Sequence, residues 1–333
     1  MSESTIPRHW DCWISENLMM NVAPDTMVER LVANGIDEGT ARSAIASMAE
    51  HPSVKVGRSI TSRLKKTEML LSMVQQLAQA IPQDVVDERS GIDPSTFFAD
   101  YYSRNRPLVL RKAIRHWPAL YKWSPQHFAD RYGNAPVMIT SNRQADPWYE
   151  INARTHMTQT TMADFVSMLL VGGQTNDYYL VANNYALQSE RLAPLFDDIG
   201  GVSGLLDSTL RRGRTFLWLG PAGTVTPLHH DKTNLLIAQV LGRKRIILYP
   251  TESIRHMNNV VGVFTAADPE HPERSPIDLR GIRHFVVTID PGDVLFVPIA
   301  WWHHVRALDL SITVSMDNFI FHNSFTLVDP CNY

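Results

Sequence analysis

Cysteine is nearly missing from this chain: among 333 residues only Cys12 and Cys331 occur, at opposite ends. That excludes a disulfide framework and a thiolate metal site, and makes a reducing, cytoplasmic location the simplest expectation. An excess of one charge is missing too. With 31 Lys and Arg against 34 Asp and Glu the net charge is −3, so no global basic field recruits nucleic acid or an anionic membrane, although local RNA recognition stays open. No apolar run reaches membrane-spanning length, and the polar stretch from Met1 to Trp13 has neither the basic nor the apolar region of a signal peptide. The expectation is a chain that is neither exported by that route nor embedded in a bilayer. Internal repeats, low-complexity tracts, a zinc cluster of the chromatin-reading kind and a His-Glu-x-x-His motif are also lacking, and the last of these argues against a hydrolytic zinc site.

What is present suffices for a large core: 44% of the residues are hydrophobic, and the length suits one large or two smaller domains. From Trp10 to Ala80 the pattern is helical. Asp25 is the expected cap of a helix through Met27–Val32, and Asp37 that of another through Ala41–Ala49, stopped by Pro52. A long helix follows from Ser59, with Leu70, Met73, Leu77 and Ile81 in one stripe. Intrachain packing is the expected cover for that stripe, with a homodimer through these helices as its rival. The polar stretch from Asp84 to Asp93 reads as a linker, which divides the chain into a helical domain, 1–83, and a second domain, 84–333.

In the second domain Asp93 caps a helix over Pro94–Tyr102, Arg106–Leu110 is a Pro-led strand, and Ser124 caps another helix. Val137–Thr140, Trp148–Ile151 and Asp177–Asn184 read as strands, with a helix over Thr161–Leu170. The loop Thr251–Arg280 separates a central hairpin from the final strands Phe285–Ile289, Val294–Val297 and Ser311–Ser315, whose spacing suits an antiparallel barrel or sandwich. His256, His271 and His284 read as surface residues.

The chemistry concentrates in Thr226-Pro-Leu-His229-His-Asp231 and in Trp301-Trp-His303-His304. A His and an Asp two apart on a strand point to the same face, so His229 and Asp231 can share a metal ion. A third ligand must come from elsewhere, and His303 or His304 supplies it if the two strands lie side by side. Two His and one carboxylate with open positions make the facial triad of non-haem Fe(II) oxygenases. Between these segments Leu235–Leu241, Gly242 and Lys244–Tyr249 read as strand, tight turn, strand. Arg243 and Arg245 are solvated turn residues on this reading. Lys244 is either another or a donor to an anionic cosubstrate.

The spacing His229-x-Asp231, the Lys244 of Gly-Arg-Lys-Arg, and Pro291-Gly-Asp-Val-Leu-Phe-Val-Pro298 followed by Trp-Trp-His-His resemble the Jumonji C, cupin-like 2-oxoglutarate oxygenases. Within them they are most similar to the hydroxylase group that includes the asparaginyl hydroxylase acting on hypoxia-inducible factor. The likeness runs from about Glu88 to Phe319, while the first eighty-odd residues carry no matching motif. It implies an α+β fold with a double-stranded β-helix (jelly-roll, cupin-like) core, flanking helices and the N-terminal helical domain. It implies Fe(II) held by His229, Asp231 and His303, with His304 facing solvent or supporting the site from behind. The cosubstrate 2-oxoglutarate would meet Lys244, Thr226 and Tyr179, with Tyr178 as the register alternative. Val305 would return to the interior beside it. With O2, the cosubstrate is converted to succinate and CO2 while a substrate C–H is hydroxylated. Two departures fall near the cosubstrate: Leu235 stands where the asparaginyl hydroxylase has an Asn, with Asn234 one earlier, and the register of Asp317-Asn318 is ambiguous by one.

Trp301, Glu150, Asn152 and Asn183 are candidates to line a cleft near the metal. The expected substrate is a protein or peptide side chain, hydroxylated rather than demethylated on a histone tail, because no chromatin-reading zinc cluster accompanies the site. Within the class the alternative is a small molecule or modified RNA base. From another class it is a cupin-like module that binds metal or ligand without turnover. The sequence leaves open the identity of the substrate, the oligomeric state and the role of the N-terminal helices.

Overall fold

A computed structural model describes residues 6–80, 85–259 and 262–325. The expected boundary between 83 and 84, like Ile81 and Cys331, lies outside these residues. The chain divides into two compact units, Met1–Ile81 and Pro82–Tyr333.

The first unit is helical: α1 (Arg8–Met19), α2 (Pro24–Ala33), α3 (Glu38–Glu50) and α4 (Pro52–Gln79). Asp37 caps α3, accepting from the Thr40 N–H at 3.0 Å. Asp25 does not cap α2, because Pro24 already occupies the first position, where its missing N–H costs nothing. Pro52 likewise opens α4, seven residues before the expected start at Ser59. Ile14, Leu18, Met27, Leu31, Ala41 and Val54 close a small core. The later part of α4 stays outside it: Leu70, Met73 and Leu77 are 58%, 57% and 69% exposed, so among the described residues the other helices of this unit do not supply the expected cover of that stripe.

Among the described residues the second unit contains 12 strands in three sheets: β1 (Asp87–Arg89), β2 (Leu108–Leu110), β3 (Pro136–Thr140), β4 (Met157–Thr161), β5 (Thr215–Gly220), β6 (Val225–His230), β7 (Leu235–Leu241), β8 (Lys244–Tyr249), β9 (Phe285–Ile289), β10 (Val294–Val297), β11 (Trp302–Ala307) and β12 (Ser311–Met316). One sheet has the order β1-β2-β10-β7-β12-β5, a second β6-β11-β8-β9, and a third pairs β3 with β4. All ladders are antiparallel except β1 with β2.

Strand alternation sorts the layers. On β7 and β10, Leu236, Ala238, Val240, Val294 and Phe296 face one way, packing with Phe97, Trp117, Phe128 and Phe165 of the helical flank. Ile237, Leu295 and Val297 face the other way, meeting Ile246, Leu248, Val287 and Val305 of the four-stranded sheet. The result is a jelly-roll sandwich with helices on the outside of the larger sheet, the α+β arrangement expected. Each of the buried Val, Leu, Ile and Phe side chains among these contributes roughly 1.5–3 kcal/mol, which fixes the inner faces where the chemistry lies.

The flanking helices are α5 (Pro94–Phe97), continued by a π turn over Phe98–Tyr102, α6 (Ala119–Lys122), α7 (Pro125–Tyr132) and α8 (Met162–Val171). Asp93 and Ser124 cap as expected. Two expected strands are missing. Trp148–Ile151 is a run of turns, and Asp177–Asn184 reduces to single bridges, Tyr179 with Thr140 and Leu180 with Leu219, before a 3-10 turn.

The expected hairpin is instead a crossover: β7 pairs with β10 and β12, β8 with β11 and β9, and the tight turn between them, which carries the chain from one sheet to the other, needs its glycine. Gly242 sits at φ +68, and a Cβ there would lie 2.2 Å from the Leu310 carbonyl oxygen.

Candidate metal and cosubstrate site

β6 and β11 lie side by side, with His303 opposite His229 and Val305 opposite Thr226. Two residues of β6, Pro227 and Leu228, therefore face the single His304 of β11, which is a bulge. The bulge explains why Thr226, three residues before His229, shares its face despite the period of two. Pro227 suits the spot because it has no N–H to leave unpaired.

This register gathers His229, Asp231 and His303, whose ligand atoms all lie within 4.8 Å of one another. Both imidazoles are held from behind: His229 Nδ1 lies 2.8 Å from the Pro227 carbonyl, and His303 Nδ1 lies 3.0 Å from that of Trp301. A carbonyl can only accept, so each Nδ1 carries the proton and each Nε2 presents a lone pair to the same space as the Asp231 carboxylate. His303 Nε2 is 3.6 Å from Asp231 Oδ2, and the two rings are 4.1 Å apart. Burial, followed by the neighbouring His303, pushes the His229 pKa down, which keeps the ring neutral as ligation requires. Two imidazoles and a carboxylate converging on one space fit a divalent cation.

A cavity of about 730 Å³ opens on these three groups, and Lys244 and Thr226 also line it. Lys244, at the start of β8, is 3% exposed and donates to the Tyr179 hydroxyl at 2.9 Å. It is not a solvated turn residue. Among the described residues no carboxylate lies within 4 Å of its ammonium, and burial lowers its pKa to about 7. A buried cation without a counter-ion is costly, so this end of the cavity suits an anion. Tyr179 lies where Gly220 leaves room, since a Cβ on Gly220 would fall 2.5 Å from the ring. Burial also raises the Tyr179 pKa, which keeps its hydroxyl a donor. Tyr178 turns away, donating to the Met168 carbonyl of α8.

Other expectations divide. Glu150, Asn183 and Leu235 line the cavity, as does Val305. Asn152 is exposed and bonds to Asp146. Trp301 packs in the sandwich core, donating to Asn105. Asn234 is tied to Asn323 and to the N–H of Ile299, and the Asn318 amide donates to the Asp207 carbonyl, so Asp317 rather than Asn318 faces the cavity. His304 is not solvent-facing: it is 4% exposed, with Nε2 3.9 Å from Glu270. Burial lowers its pKa to about 4.

Two features gave no signal in the sequence. Phe264, from the loop Thr251–Arg280, stacks on His229 with ring centroids 5.2 Å apart, while its segment bonds along the free edge of β6. Arg143, 1% exposed, donates to the Val225 carbonyl at 2.7 Å and to Thr140, and lies over Tyr149.

A family model described as a cupin-like domain matches residues 94–327, most of the chain and all of this site. The chain belongs to the cupin-like domain family. It is 28% identical over 323 residues to lysine-specific demethylase 8 of Xenopus tropicalis, covering 90% of this chain and 71% of that protein. It is 29% identical over 253 residues to lysine-specific demethylase JMJ30 of Arabidopsis thaliana, covering 69% of this chain and 54% of the relative. Over 271 residues it is 26% identical to the human bifunctional peptidase and (3S)-lysyl hydroxylase JMJD7, covering 71% and 85%. The chain thus spans about half the length of the Arabidopsis relative. No helix among the described residues is long and apolar enough to cross a membrane.

Proposed function

We propose that this cupin-like protein is an Fe(II)- and 2-oxoglutarate-dependent oxygenase that hydroxylates a C–H bond of a protein or peptide side chain. The observation that carries this is the pairing, within one cavity, of three convergent metal-type ligands with a buried ammonium that has no counter-ion among the described residues. His229, Asp231 and His303 would hold the iron, leaving the remaining positions to cosubstrate and O2. Lys244, Tyr179 and Thr226 would take the far carboxylate of 2-oxoglutarate, with Lys244 supplying charge and the hydroxyls direction. Bound iron supplies oxidation of the cosubstrate to succinate and CO2 coupled to insertion of oxygen into the substrate. The residues of the chain orient both partners and limit water at the metal: Phe264 packs over His229, and Val305 and Ile237 wall the cavity.

The assignment places the activity in residues 84–333, with 1–83 as a separate helical domain whose exposed stripe suits a homodimer, in the cytoplasm. The names of the relatives, lysine demethylases and a lysyl hydroxylase, support a protein substrate. Hydroxylation of a carbon in the side-chain stem leaves a stable alcohol. Hydroxylation of an N-methyl carbon gives a carbinolamine that breaks its C–N bond to formaldehyde and amine, so formaldehyde separates demethylase from hydroxylase. The nearer resemblance to the asparaginyl hydroxylase group rests on the His229-x-Asp231 spacing, Lys244 and the Trp-Trp-His-His run together, and is weakened by Leu235 and by the buried Asn318.

The test is conversion of 2-oxoglutarate to succinate by the purified protein with Fe(II) and O2, with intact-mass analysis of lysate proteins. Succinate together with enzyme-dependent gains of 16 Da on proteins is expected. Metal and 2-oxoglutarate binding without succinate would identify a binding module, and succinate coupled only to small molecules or RNA would move the substrate class.

A further inference from the structure

A second cavity, of about 380 Å³, lies on the opposite face of the four-stranded sheet from the metal ligands. Its floor is the outward side of β6 and β11, with Val225, Pro227, His304 and Arg306. Its walls come from the turns around Trp148 and from residues 264–276. Glu150, Ile151 and Phe264 line both cavities, so the two openings share a wall.

The charged groups lining this outer cavity are three acceptors, Glu150, Asp268 and Glu270, and one donor, Arg306. Glu270 is engaged by Arg245 and Arg306, and Glu150 is faced by Arg143 at 3.0 Å. That last contact is close enough for an ion pair but not aligned as a hydrogen bond, so the buried Oε1 of Glu150 has no donor. Asp268 takes only the backbone N–H groups of Glu270 and His271, and among the described residues no cation lies within 4 Å of it. His304 Nδ1 is buried without a partner. Its Nε2 faces the Glu270 carboxylate, which favours the proton on that nitrogen and leaves Nδ1 another acceptor. Trp148, Ile151, Phe264 and Pro227 supply apolar walls. A ligand that fits brings a positive charge with N–H donors for Asp268 and an aliphatic stem for the apolar walls, the make-up of a basic side chain.

We propose that the outer cavity docks a lysine or arginine side chain of a polypeptide whose target residue enters the metal cavity beside it. The assignment rests on the protein-substrate reading above. The shared wall makes the source a neighbouring residue of the same chain rather than a free polyamine, because whatever leaves the metal cavity over Glu150, Ile151 and Phe264 arrives at this pocket.

The experiment uses the full-length protein loaded with Mn(II) and 2-oxoglutarate, which permits binding without turnover. The probes are N-acetyl methylamides of arginine, lysine and norleucine, together with spermidine, measured by calorimetry and located by crystal soaking. The arginine or lysine probe is expected in the outer cavity, at least tenfold tighter than norleucine and tighter than spermidine. Asp268→Asn, which keeps the acceptor for the backbone N–H groups, should weaken the basic probe about tenfold, with 2-oxoglutarate affinity within twofold of the parent protein. Trp148→Ala, on a half-exposed side chain, should weaken all three amino-acid probes. Equal binding of norleucine, location of the basic probe in the metal cavity alone, or tighter binding of spermidine would overturn the proposal. None of these readouts uses succinate. An active enzyme that fails them loses only the docking pocket, whereas probe binding by a protein that forms no succinate contradicts the oxygenase reading instead.

Discussion

His303 and His304 are neighbours on β11, and the two faces they occupy solve opposite electrostatic problems. On the inner face His229, His303 and Asp231 leave their lone pairs pointed at one another, and Lys244 stands buried without a counter-ion. On the outer face His304 belongs to a cluster in which Glu270 is already engaged by Arg245 and Arg306. The inner face is unsatisfied until a cation and an anion arrive together. On the outer face Glu270 is satisfied by the protein itself, while Asp268 is left with backbone N–H partners only. The contrast shows that a buried charge marks a binding site when its partner is missing, and marks architecture when the partner is present.

That contrast can be broken in graded steps. The largest effect should follow Asp231→Ala, which removes the only carboxylate of the metal set: succinate formation is expected to fall on the order of a hundredfold or more, with loss of the bound iron equivalent on elemental analysis. Retained iron would show that Asp231 is not a ligand. Lys244→Ala comes next. Losing a buried charged partner typically costs ~2–5 kcal/mol, so calorimetry should find 2-oxoglutarate binding weakened by that amount while Fe(II) binding persists; unchanged affinity would return Lys244 to a structural role.

The same lysine makes affinity depend on pH. Its pKa in the ligand-free protein is near 7, and a bound carboxylate raises it. Below pH 7 it is charged in both states and affinity is flat. Above pH 7 only the complex holds the proton, so binding takes one up and affinity should fall by up to about tenfold per pH unit. A titration from pH 6 to 9 on the Mn(II)-loaded protein checks this, and the slope should vanish in Lys244→Ala. The smallest change is Tyr179→Phe, which removes one hydroxyl and should cost about 0.5–1.5 kcal/mol of 2-oxoglutarate affinity. A loss as large as that of Lys244→Ala would mean that the ring positions the ammonium as well.

Local signals in the sequence predicted part of this arrangement. The caps at Asp37, Asp93 and Ser124 and the alternation on β7 and β10 need only nearest neighbours, and they placed those elements well. His229 and Asp231 were legible for the same reason, since residues two apart along an extended chain share a face, although Asp231 lies one residue past the end of β6. The choice of His303 needed family resemblance, because Trp301 and Trp302 are both apolar and parity alone is silent. Thr226 also defied parity, and the bulge opposite His304 is a property of two strands that neither sequence carries.

Trp148–Ile151 has the composition of a strand but no pairing edge. Its residues instead pack around Arg143 and the cavity wall. Phe264 and Glu270 lie in a stretch rich in Pro, Asp and His with no periodicity, so nothing local says that one reaches His229 and the other becomes a buried ion-pair hub. Half of α4 shows the reverse case. Its apolar stripe is legible as a stripe, but among the described residues the other helices of its unit do not cover it, because burial depends on a partner surface that the pattern alone does not name.

The central claim is that the two faces of β11 differ in kind, and bound iron in a matched pair of variants tests it most directly. Fe(II) is titrated anaerobically into His303→Ala and His304→Ala in parallel with the parent protein, with thermal melting to confirm that both are folded. The account predicts that His303→Ala loses stoichiometric iron while His304→Ala binds it within about twofold of the parent, since only the first presents a lone pair to the metal. Loss of iron in His304→Ala with retention in His303→Ala would contradict it, placing the strand register one residue out and the metal on the other face of the sheet.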